Sequence, residues 1–334
     1  MLIGIVGPSA VVPETELALG AKKITDAGFT VRIHPQVKKT HLFFAGTDEQ
    51  RAKAFYDYAV DSKVDALWFA RGGYGAMLLL PHLVALAKKN GKPPAKKVLI
   101  GSSDATSLME FVRVKWGWKV LHAPMPATMG FQKLSARDWQ DLVAQLHQLG
   151  KSEHPLGTLD QPLKFVSRGQ LKAKSRPVRG ELVGGNLSVM CSLIGTPYAI
   201  QAKGKILFLE DVTEAPYRLH RMAQHLLSVG AFKGVKAIVI GSLHDCADQV
   251  GSVFAEMPGA SSMEKSGDTK VRMKPLRPSL SDAEVLTAVF GVLGKSLEIP
   301  VAYGLTVGHG PNGMSPLPLG VTYELDAKGF LSLV

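Results

Sequence analysis

The sequence predicts an α/β fold, with a parallel-sheet domain in the first half and a second α/β domain in the second half. Two observations predict it. The first 150 residues alternate short apolar runs with amphipathic stretches of helical length, a pattern typical of a parallel sheet with helices on both faces. At 334 residues, the chain is also long enough to bury two cores of ordinary domain size.

The elements of the first half follow from this alternation. Apolar runs predict strands at Leu2–Val6, Thr30–Ile33, Ala66–Phe69, Val98–Ile100 and Val120–Ala123. Amphipathic stretches predict helices at Glu14–Ala27, Asp48–Ser62, Ala76–Ala87, Ala105–Val114 and Ala136–Leu149.

The periodicity fades between residues 151 and 179, where basic, proline and glycine residues intervene. We therefore predict a first domain over 1–150, a linker over 151–179 and a second domain over 180–334. The second domain has predicted strands at Lys205–Leu209, Ala237–Ile240, Val301–Gly304 and Val321–Leu325. Its predicted helices are Ala215–Ser228 and Asp282–Leu293. Residues 247–275 are polar and weakly patterned, which predicts a long surface loop.

Composition excludes several classes of function. The net charge of +11 comes from scattered lysines and arginines without a basic helix or interleaved aromatic residues, so we expect no nucleic-acid partner. No stretch of 18 residues is both apolar and free of charged residues, as a membrane-spanning helix would require, and the apolar N-terminal run is too short for a signal peptide. Cys191 and Cys246 lack metal-ligand spacing. We expect a cytoplasmic protein without a membrane partner, a metal or another cofactor.

A serine turn follows the fourth predicted strand. Gly101-Ser102-Ser103-Asp104 joins an apolar strand to a helical stretch, the layout that raises a nucleophilic hydroxyl beside helix N–H groups able to hold an oxyanion. The pattern departs from G-x-S-x-G because no glycine stands two residues after Ser103. A cap for the following helix is the alternative interpretation.

An acid and a histidine follow two later strands. Glu210 and Asp211 end the run at Lys205–Leu209, and His309 stands between two glycines after the run at Val301–Gly304. A carboxylate placed there can be dry and oriented, and flanking glycines let a base approach without obstruction. Ser103, an acid and His309 in this order form a plausible triad. In the acid role, Asp211 and Glu214 remain alternatives to Glu210.

The chain contains several short motifs in a fixed order. They are Ala70–Gly75 with Leu80-Pro81, Ile100–Thr106, Gly184–Leu187 with Gly195-Thr196, Leu209–Val212 with Glu214 and Tyr217-Arg218, and Gly308–Gly310 with Leu317–Gly320. Together they resemble the LD-carboxypeptidase family of serine peptidases, over nearly the whole chain. The resemblance implies a first domain with flavodoxin-like layers that carries the nucleophile, and a smaller C-terminal mixed α/β domain that supplies the acid and the base across a cleft.

The resemblance also implies roles for individual residues. Ser103 matches the nucleophile, Glu210 the triad acid and His309 the general base. The backbone N–H groups of Asp104 and Gly73 match the oxyanion hole.

Four further residues are candidates for substrate binding. Arg71 is favoured on charge grounds, because an exopeptidase must bind a free carboxylate beside the scissile bond; a salt bridge is its alternative role. The other candidates are Gly72, Tyr74 and Asn186.

By resemblance, the protein is a serine L,D-carboxypeptidase that releases terminal D-alanine from cytoplasmic murein tetrapeptides during cell-wall peptide recycling, and it forms a homodimer. The alternative within the family is a microcin C immunity-type peptidase that cleaves an aminoacyl or peptidyl nucleotide conjugate. A distant alternative is a small-ligand binding protein without catalysis. The sequence departs from the family at Ser102, where an aromatic residue is usual, at His220, where Asp is frequent, and in the length of residues 247–275.

Overall fold

The first half of the chain folds around a parallel sheet, as seen in a computed structural model that describes residues 1–149, 161–246, 280–310 and 314–334. Its strands are β1 (Leu2–Val6), β2 (Thr30–Ile33), β3 (Ala66–Phe69), β4 (Val98–Gly101) and β5 (Lys119–His122). They pair in the parallel order β2-β1-β3-β4-β5, the order of flavodoxin-like folds. The predicted α/β fold class is confirmed.

Helices cover both faces of this sheet. They are α1 (Glu14–Asp26), α2 (Asp48–Val60), α3 (Leu79–Asn90), α4 (Ala105–Phe111), α5 (Met129–Gln132) and α6 (Ala136–Leu149). Short 3-10 turns precede α2 and α3, and a π-helical turn, Val112–Trp116, extends α4. The helix predicted at Ala76–Ala87 is therefore split between a 3-10 turn and α3.

A seven-stranded mixed sheet organises the second half. Its strands are β6 (Lys164–Ser167), β7 (Val178–Asn186), β8 (Ile206–Val212), β9 (Ala237–His244), β10 (Val301–Tyr303), β12 (Thr322–Leu325) and β13 (Leu331–Leu333). Strands β7 to β10 are parallel, and β6, β12 and β13 pair antiparallel at the edges. The segment predicted as a linker thus contributes β6.

Helices of the second half pack on this sheet. They are α7 (Leu187–Ser192), α8 (Pro216–Ser228), α9 (Asp282–Leu286) and α10 (Val292–Leu297), with a π-helical turn, Thr287–Gly291, between the last two. The long loop predicted at 247–275 lies outside the described residues.

The two sheets are joined by packing as well as by the chain. Strand β11 (Leu317–Leu319) leaves the second half and pairs antiparallel with β5 of the first sheet. One continuous apolar cluster extends from Leu99 on β4 to Phe208 on β8. The carboxyl ends of β4 and β8 are therefore held in one shared core. Among the described helices, none has both the length and the apolar character needed to cross a bilayer.

Candidate active site

The turn after β4 holds two adjacent serines in different environments. β4 ends at Gly101 and α4 begins at Ala105. Ser102 is buried, whereas Ser103 is partly exposed and has a φ of +59°. Left-handed backbone at a residue other than glycine is strained, and such strain concentrates at functional sites. A sharp strand-to-helix turn is also the geometry that exposes a hydrolase nucleophile. The local backbone therefore favours Ser103 over Ser102 as the reactive serine.

Gly72 lies directly against this turn. A Cβ atom at position 72 would stand 3.2 Å from Ser103 Cβ and 3.3 Å from Ser103 Oγ. Because glycine has no side chain, the turn after β3 can approach the serine this closely. The next residue is Gly73, with a φ of +111°, and its role as an oxyanion donor stays a prediction.

The Asp104 side chain ties three strand ends together. It is buried, and its Oδ2 accepts hydrogen bonds from the Ser9 hydroxyl at 2.6 Å and from the Ala76 N–H at 2.8 Å. Ser9 follows β1, and Ala76 follows the glycine turn after β3. Burial raises the pKa of Asp104, and these hydrogen bonds and the Arg51 charge oppose that rise.

Arg51 on α2 holds the same region from the other side. Its fully buried guanidinium donates to the carbonyl of Gly75 at 3.0 Å and to that of Pro8. The peptide between Gly75 and Ala76 is consequently held at both polar groups, its C=O by Arg51 and its N–H by Asp104. Sequence reasoning missed Arg51, which lies on a helix remote from every motif.

Glu210, which is buried, pairs with His309, which is partly exposed. Glu210 on β8 has no exposed surface, and its Oε2 lies 2.7 Å from Nδ1 of His309, on the loop after β10. Asp211 and Glu214 were the other acids that the sequence allowed; the carboxylate in hydrogen-bond contact with His309 is that of Glu210. With Nδ1 engaged, Nε2 is the ring nitrogen left to exchange a proton.

Close packing fixes the loop that carries His309. A Cβ atom at Gly308, where φ is +128°, would stand 3.0 Å from Oε2 of Glu210. Ser242 on β9 donates its N–H to the Val307 carbonyl at 2.8 Å and its hydroxyl to the His309 carbonyl. Gly308 was predicted to let His309 approach without obstruction. In the structure, the absence of a side chain at Gly308 lets the loop backbone pack against Glu210.

Opposing effects set the charges of the pair. Burial raises the pKa of Glu210, but His122 and His309 lower it by more, to about 2. Burial likewise lowers the pKa of His309, but the hydrogen bond and the charge of Glu210 raise it above its usual 6.5. Glu210 is therefore ionised at neutral pH and favours the protonated form of His309.

His122 contacts Glu210 from the first domain. It is the last residue of β5, and its Nε2 lies 3.8 Å from Oε1 of Glu210, longer than a hydrogen bond but within reach of an ion pair. Its ring meets the Phe208 ring edge to face, with centroids 5.2 Å apart. Sequence reasoning missed His122. The available signal was its position at the carboxyl end of a strand, where the other candidates also stand.

Asp211 points away from this pair into a separate network. The buried carboxylate accepts hydrogen bonds from Nδ2 of Asn186 at 3.1 Å and from the N–H of Ser188 at 2.9 Å. Burial raises the pKa of Asp211 to about 6, and its hydrogen bonds limit the rise. Asp211 therefore supports the start of α7 rather than contacting His309.

The structure places Asn186 in the interface between the domains. It is buried, its Oδ1 accepts from the Ser188 hydroxyl and the Val189 N–H, and its own N–H donates to Oγ1 of Thr106 on α4 at 3.0 Å. These contacts give Asn186 a bridging position behind the serine turn. Its role in substrate binding stays a prediction.

The remaining candidates lie on the turn that contains Gly72. The Arg71 guanidinium donates to the Val11 carbonyl at 3.1 Å. Tyr74 is half exposed, and its ring centroid lies 5.9 Å from that of Phe44. Their substrate-binding roles stay predictions.

A cavity of about 390 Å³ opens between the two domains. Its lining includes Ser102, Met125 and Lys133 from the first domain and His244, His309 and Met314 from the second. Ser102 of the serine turn and His309 therefore line the same cavity. Within the ranges that the structure describes, no three His, Cys, Asp or Glu side chains cluster so as to hold a metal ion.

These features define a class of protein: a two-domain α/β protein in which a histidine, paired with a buried carboxylate, faces an interdomain cavity, as the general base of a hydrolase does. The chain belongs to the LD-carboxypeptidase family. The profile of the family's N-terminal domain matches residues 3–123, and that of its C-terminal domain matches residues 179–325. The family predicted from the sequence motifs is confirmed.

Several relatives align with the chain. A carboxypeptidase-like protein of Streptomyces coelicolor is 31% identical, over 99% of this chain and 92% of the relative. The murein tetrapeptide carboxypeptidase of Pseudomonas aeruginosa is 27% identical, over 98% and 93%. A carboxypeptidase-like protein of Rickettsia conorii is 37% identical, but the chain spans only 60% of that relative's length.

Two kinds of solved structure share the fold. The muramoyltetrapeptide carboxypeptidase of Oxalobacter formigenes has a TM-score of 0.67 at 27% identity, over 100% of this chain and 98% of that one. The protein MccF, solved in complex with glutamyl sulfamoyl guanosine, has a TM-score of 0.73 at 23% identity, over 100% and 95%. At that lower identity, the likeness to MccF speaks for the fold alone.

Proposed function

We propose that this protein is a serine L,D-carboxypeptidase that releases the terminal D-alanine from murein tetrapeptides through an acyl-enzyme. The observation that carries the proposal is the hydrogen-bonded pair of His309 and buried Glu210, with His309 lining a cavity that Ser102, the neighbour of Ser103, also lines. The substrate is supported by the names of two relatives, the murein tetrapeptide carboxypeptidase and the muramoyltetrapeptide carboxypeptidase, each 27% identical over nearly the full chain.

The first half-reaction forms the acyl-enzyme. Nε2 of His309 takes the proton of the Ser103 hydroxyl as Oγ attacks the carbonyl carbon of the scissile amide. Glu210 holds the imidazole through Nδ1 and stabilises the imidazolium that forms. The negative charge on the carbonyl oxygen is held by the N–H groups of Asp104 and Gly73. When the C–N bond breaks, His309 returns the proton to the amine of the departing D-alanine.

The second half-reaction restores the enzyme. A water gives its proton to His309 while its oxygen attacks the ester carbonyl. The C–O bond to Ser103 then breaks, the serine regains its proton from His309, and the shortened peptide leaves with a new carboxylate. In this mechanism Arg71 binds the free carboxylate of the terminal residue, by its charge and its place beside Gly72.

By the family resemblance, we infer that the enzyme acts on cytoplasmic tetrapeptides in the recycling of cell-wall peptides. We also infer a homodimer from the family resemblance.

The competing proposal within the family is hydrolysis of an aminoacyl or peptidyl nucleotide conjugate. The observation in its favour is the shared fold with MccF, solved with glutamyl sulfamoyl guanosine and with aspartyl sulfamoyl adenosine. The two murein-peptide carboxypeptidases are 27% identical over nearly the full chain, whereas MccF is 23% identical, and this difference favours the murein substrate.

The test is mass spectrometry of purified muropeptides after incubation with the enzyme, beside an aminoacyl sulfamoyl adenosine. We expect tetrapeptide, but not pentapeptide, to lose one alanine, and the S103A variant to leave it intact. Cleavage of the nucleoside conjugate with intact tetrapeptide would instead support the competing activity. If the folded enzyme cleaves neither substrate, both proposed activities are overturned.

A further inference from the structure

We propose that His122 is a positioning residue that holds the Glu210 carboxylate across the domain interface, so that Oε2 stays in contact with Nδ1 of His309. The inference deepens the proposed function and rests on it for its kinetic consequences. It gives a role to a histidine that belongs to none of the sequence motifs.

Burial and missing partners identify the contact. The side chain of His122 is 2% exposed and that of Glu210 is 0% exposed. Within the described residues, neither Nε2 of His122 nor Oε1 of Glu210 has a hydrogen-bond partner. Buried polar atoms are rarely left alone, because their lost hydration must be replaced. At 3.8 Å, the two atoms lie within ion-pair distance of each other.

The place of His122 in the first sheet connects the acid to the nucleophile turn. His122 on β5 is in register with Gly101 on β4, and the N–H of Ala123 donates to the Gly101 carbonyl at 3.0 Å. Gly101 directly precedes Ser102 and Ser103. A single strand pair therefore links the serine turn to the residue that meets Glu210.

Among the groups around Glu210, the two histidines are the ones that stabilise its negative charge. Asp211 follows on the same strand, and its carboxylate adds negative charge. From β9 and the residues after it come His244, whose ring lies beside Gly310, and the buried thiol of Cys246. Phe208 covers the His122 ring with its own edge-to-face ring. Among these neighbours, His122 and His309 are the groups that lower the pKa of Glu210.

Removing His122 should change the pKa of His309 in a defined direction. The charge of Glu210 is shared between two imidazoles in a region of low dielectric constant. Without His122, that charge acts on His309 alone, so the pKa of His309 rises and more of the base is protonated at neutral pH. Glu210 can also turn away from its catalytic orientation, and a small misplacement in an active site costs about 10- to 100-fold in rate.

The experiment compares H122F, which keeps a ring of similar size, with H122Q, which restores an N–H donor. Steady-state kinetics on the tetrapeptide would give kcat and KM from pH 5 to 9. We expect H122F to lose about 10- to 100-fold in kcat with KM nearly unchanged. The acid limb of its kcat–pH profile should move to higher pH. H122Q should recover, in part, both the kcat and the position of this limb. Thermal unfolding of both variants checks the fold.

A readout without substrate separates this inference from the proposed function. NMR titration of the His309 imidazole should give a higher pKa in H122F than in the wild type, whichever amide the enzyme cleaves. An unchanged His309 pKa, with a fall in kcat that H122Q does not recover, would reduce His122 to a packing residue and overturn the inference. If the wild type leaves tetrapeptide intact but the titration shifts as expected, only the proposed function fails.

Discussion

Nδ1 of His309 lies 2.7 Å from Oε2 of Glu210, a carboxylate without exposed surface. A hydrogen bond between charged partners is stronger in such a dry site than in water. The contact fixes the imidazole with Nε2 free, and it holds the pKa of His309 above its usual 6.5. In the proposed mechanism His309 is the general base, which must be neutral to accept a proton, so the contact that orients His309 would also set the pH at which the enzyme works.

The first prediction concerns this pH dependence. We expect kcat/KM to rise as His309 loses its proton, with an acid limb above about 6.5. In E210Q the charge is gone while burial still lowers the pKa of His309, so the limb should move to lower pH. The rate should fall by roughly 10⁴-fold, as when a triad acid becomes an amide. An acid limb that stays in place in E210Q would show that another group titrates.

The second prediction separates the two serines. Ser103 has the strained backbone and partial exposure of a nucleophile, whereas Ser102 is buried. S103A should lower kcat by roughly 10³-fold or more and leave thermal stability near that of the wild type. S102A should be much milder. Equal losses, or a loss in S102A alone, measured by D-alanine release, would overturn the choice of Ser103 as the nucleophile.

The third prediction concerns the carboxylate that joins the strand ends. D104A leaves the Ser9 hydroxyl and the Ala76 N–H without their acceptor, at about 1–3 kcal/mol for each buried group. We expect lower stability in denaturant unfolding and a lower kcat, because the turn after β3, which contains the proposed oxyanion donor Gly73, loses its hydrogen bond to the serine turn. D104N keeps an acceptor oxygen and should be milder in both. Full stability in D104A would contradict the role given to these hydrogen bonds.

Much of the first sheet could be predicted because its strands are short, buried apolar runs. β1, β2 and β3 have the predicted bounds. Strand β11 was missed because Pro318 interrupts its pattern. Proline removes an N–H donor and is tolerated at a sheet edge, which is where β11 pairs with β5. Edge strands of this kind depend on distant chain segments that local sequence does not reveal.

The site could be predicted as far as each residue had a local signal. Glu210 was predicted just after an apolar run and lies within β8, His309 lies in a glycine-rich turn after β10, and the structure joins them. His122 and Arg51 carry no such signal. A histidine at the end of β5 gains significance only when β8 brings an acid to it, and an arginine on α2 only when strand-end carbonyls converge on it. Contacts between remote elements decide these roles.

The last prediction uses two glycines of the loop that leads from β10 to His309. Gly308 has a φ of +128°, and a Cβ there would stand 3.0 Å from Oε2 of Glu210. Gly304 has a φ of +100°, and a Cβ there would meet nothing within 4 Å. Alanine at either position strains the backbone, at about 1–3 kcal/mol. In G308A alone the new methyl group also presses on the acid, so we expect its kcat to fall at least about 10-fold below that of G304A. Kinetics on both variants, with unfolding curves to match their stabilities, measure the difference. Equal kcat values would mean that the loop backbone, rather than contact with Glu210, requires glycine at position 308.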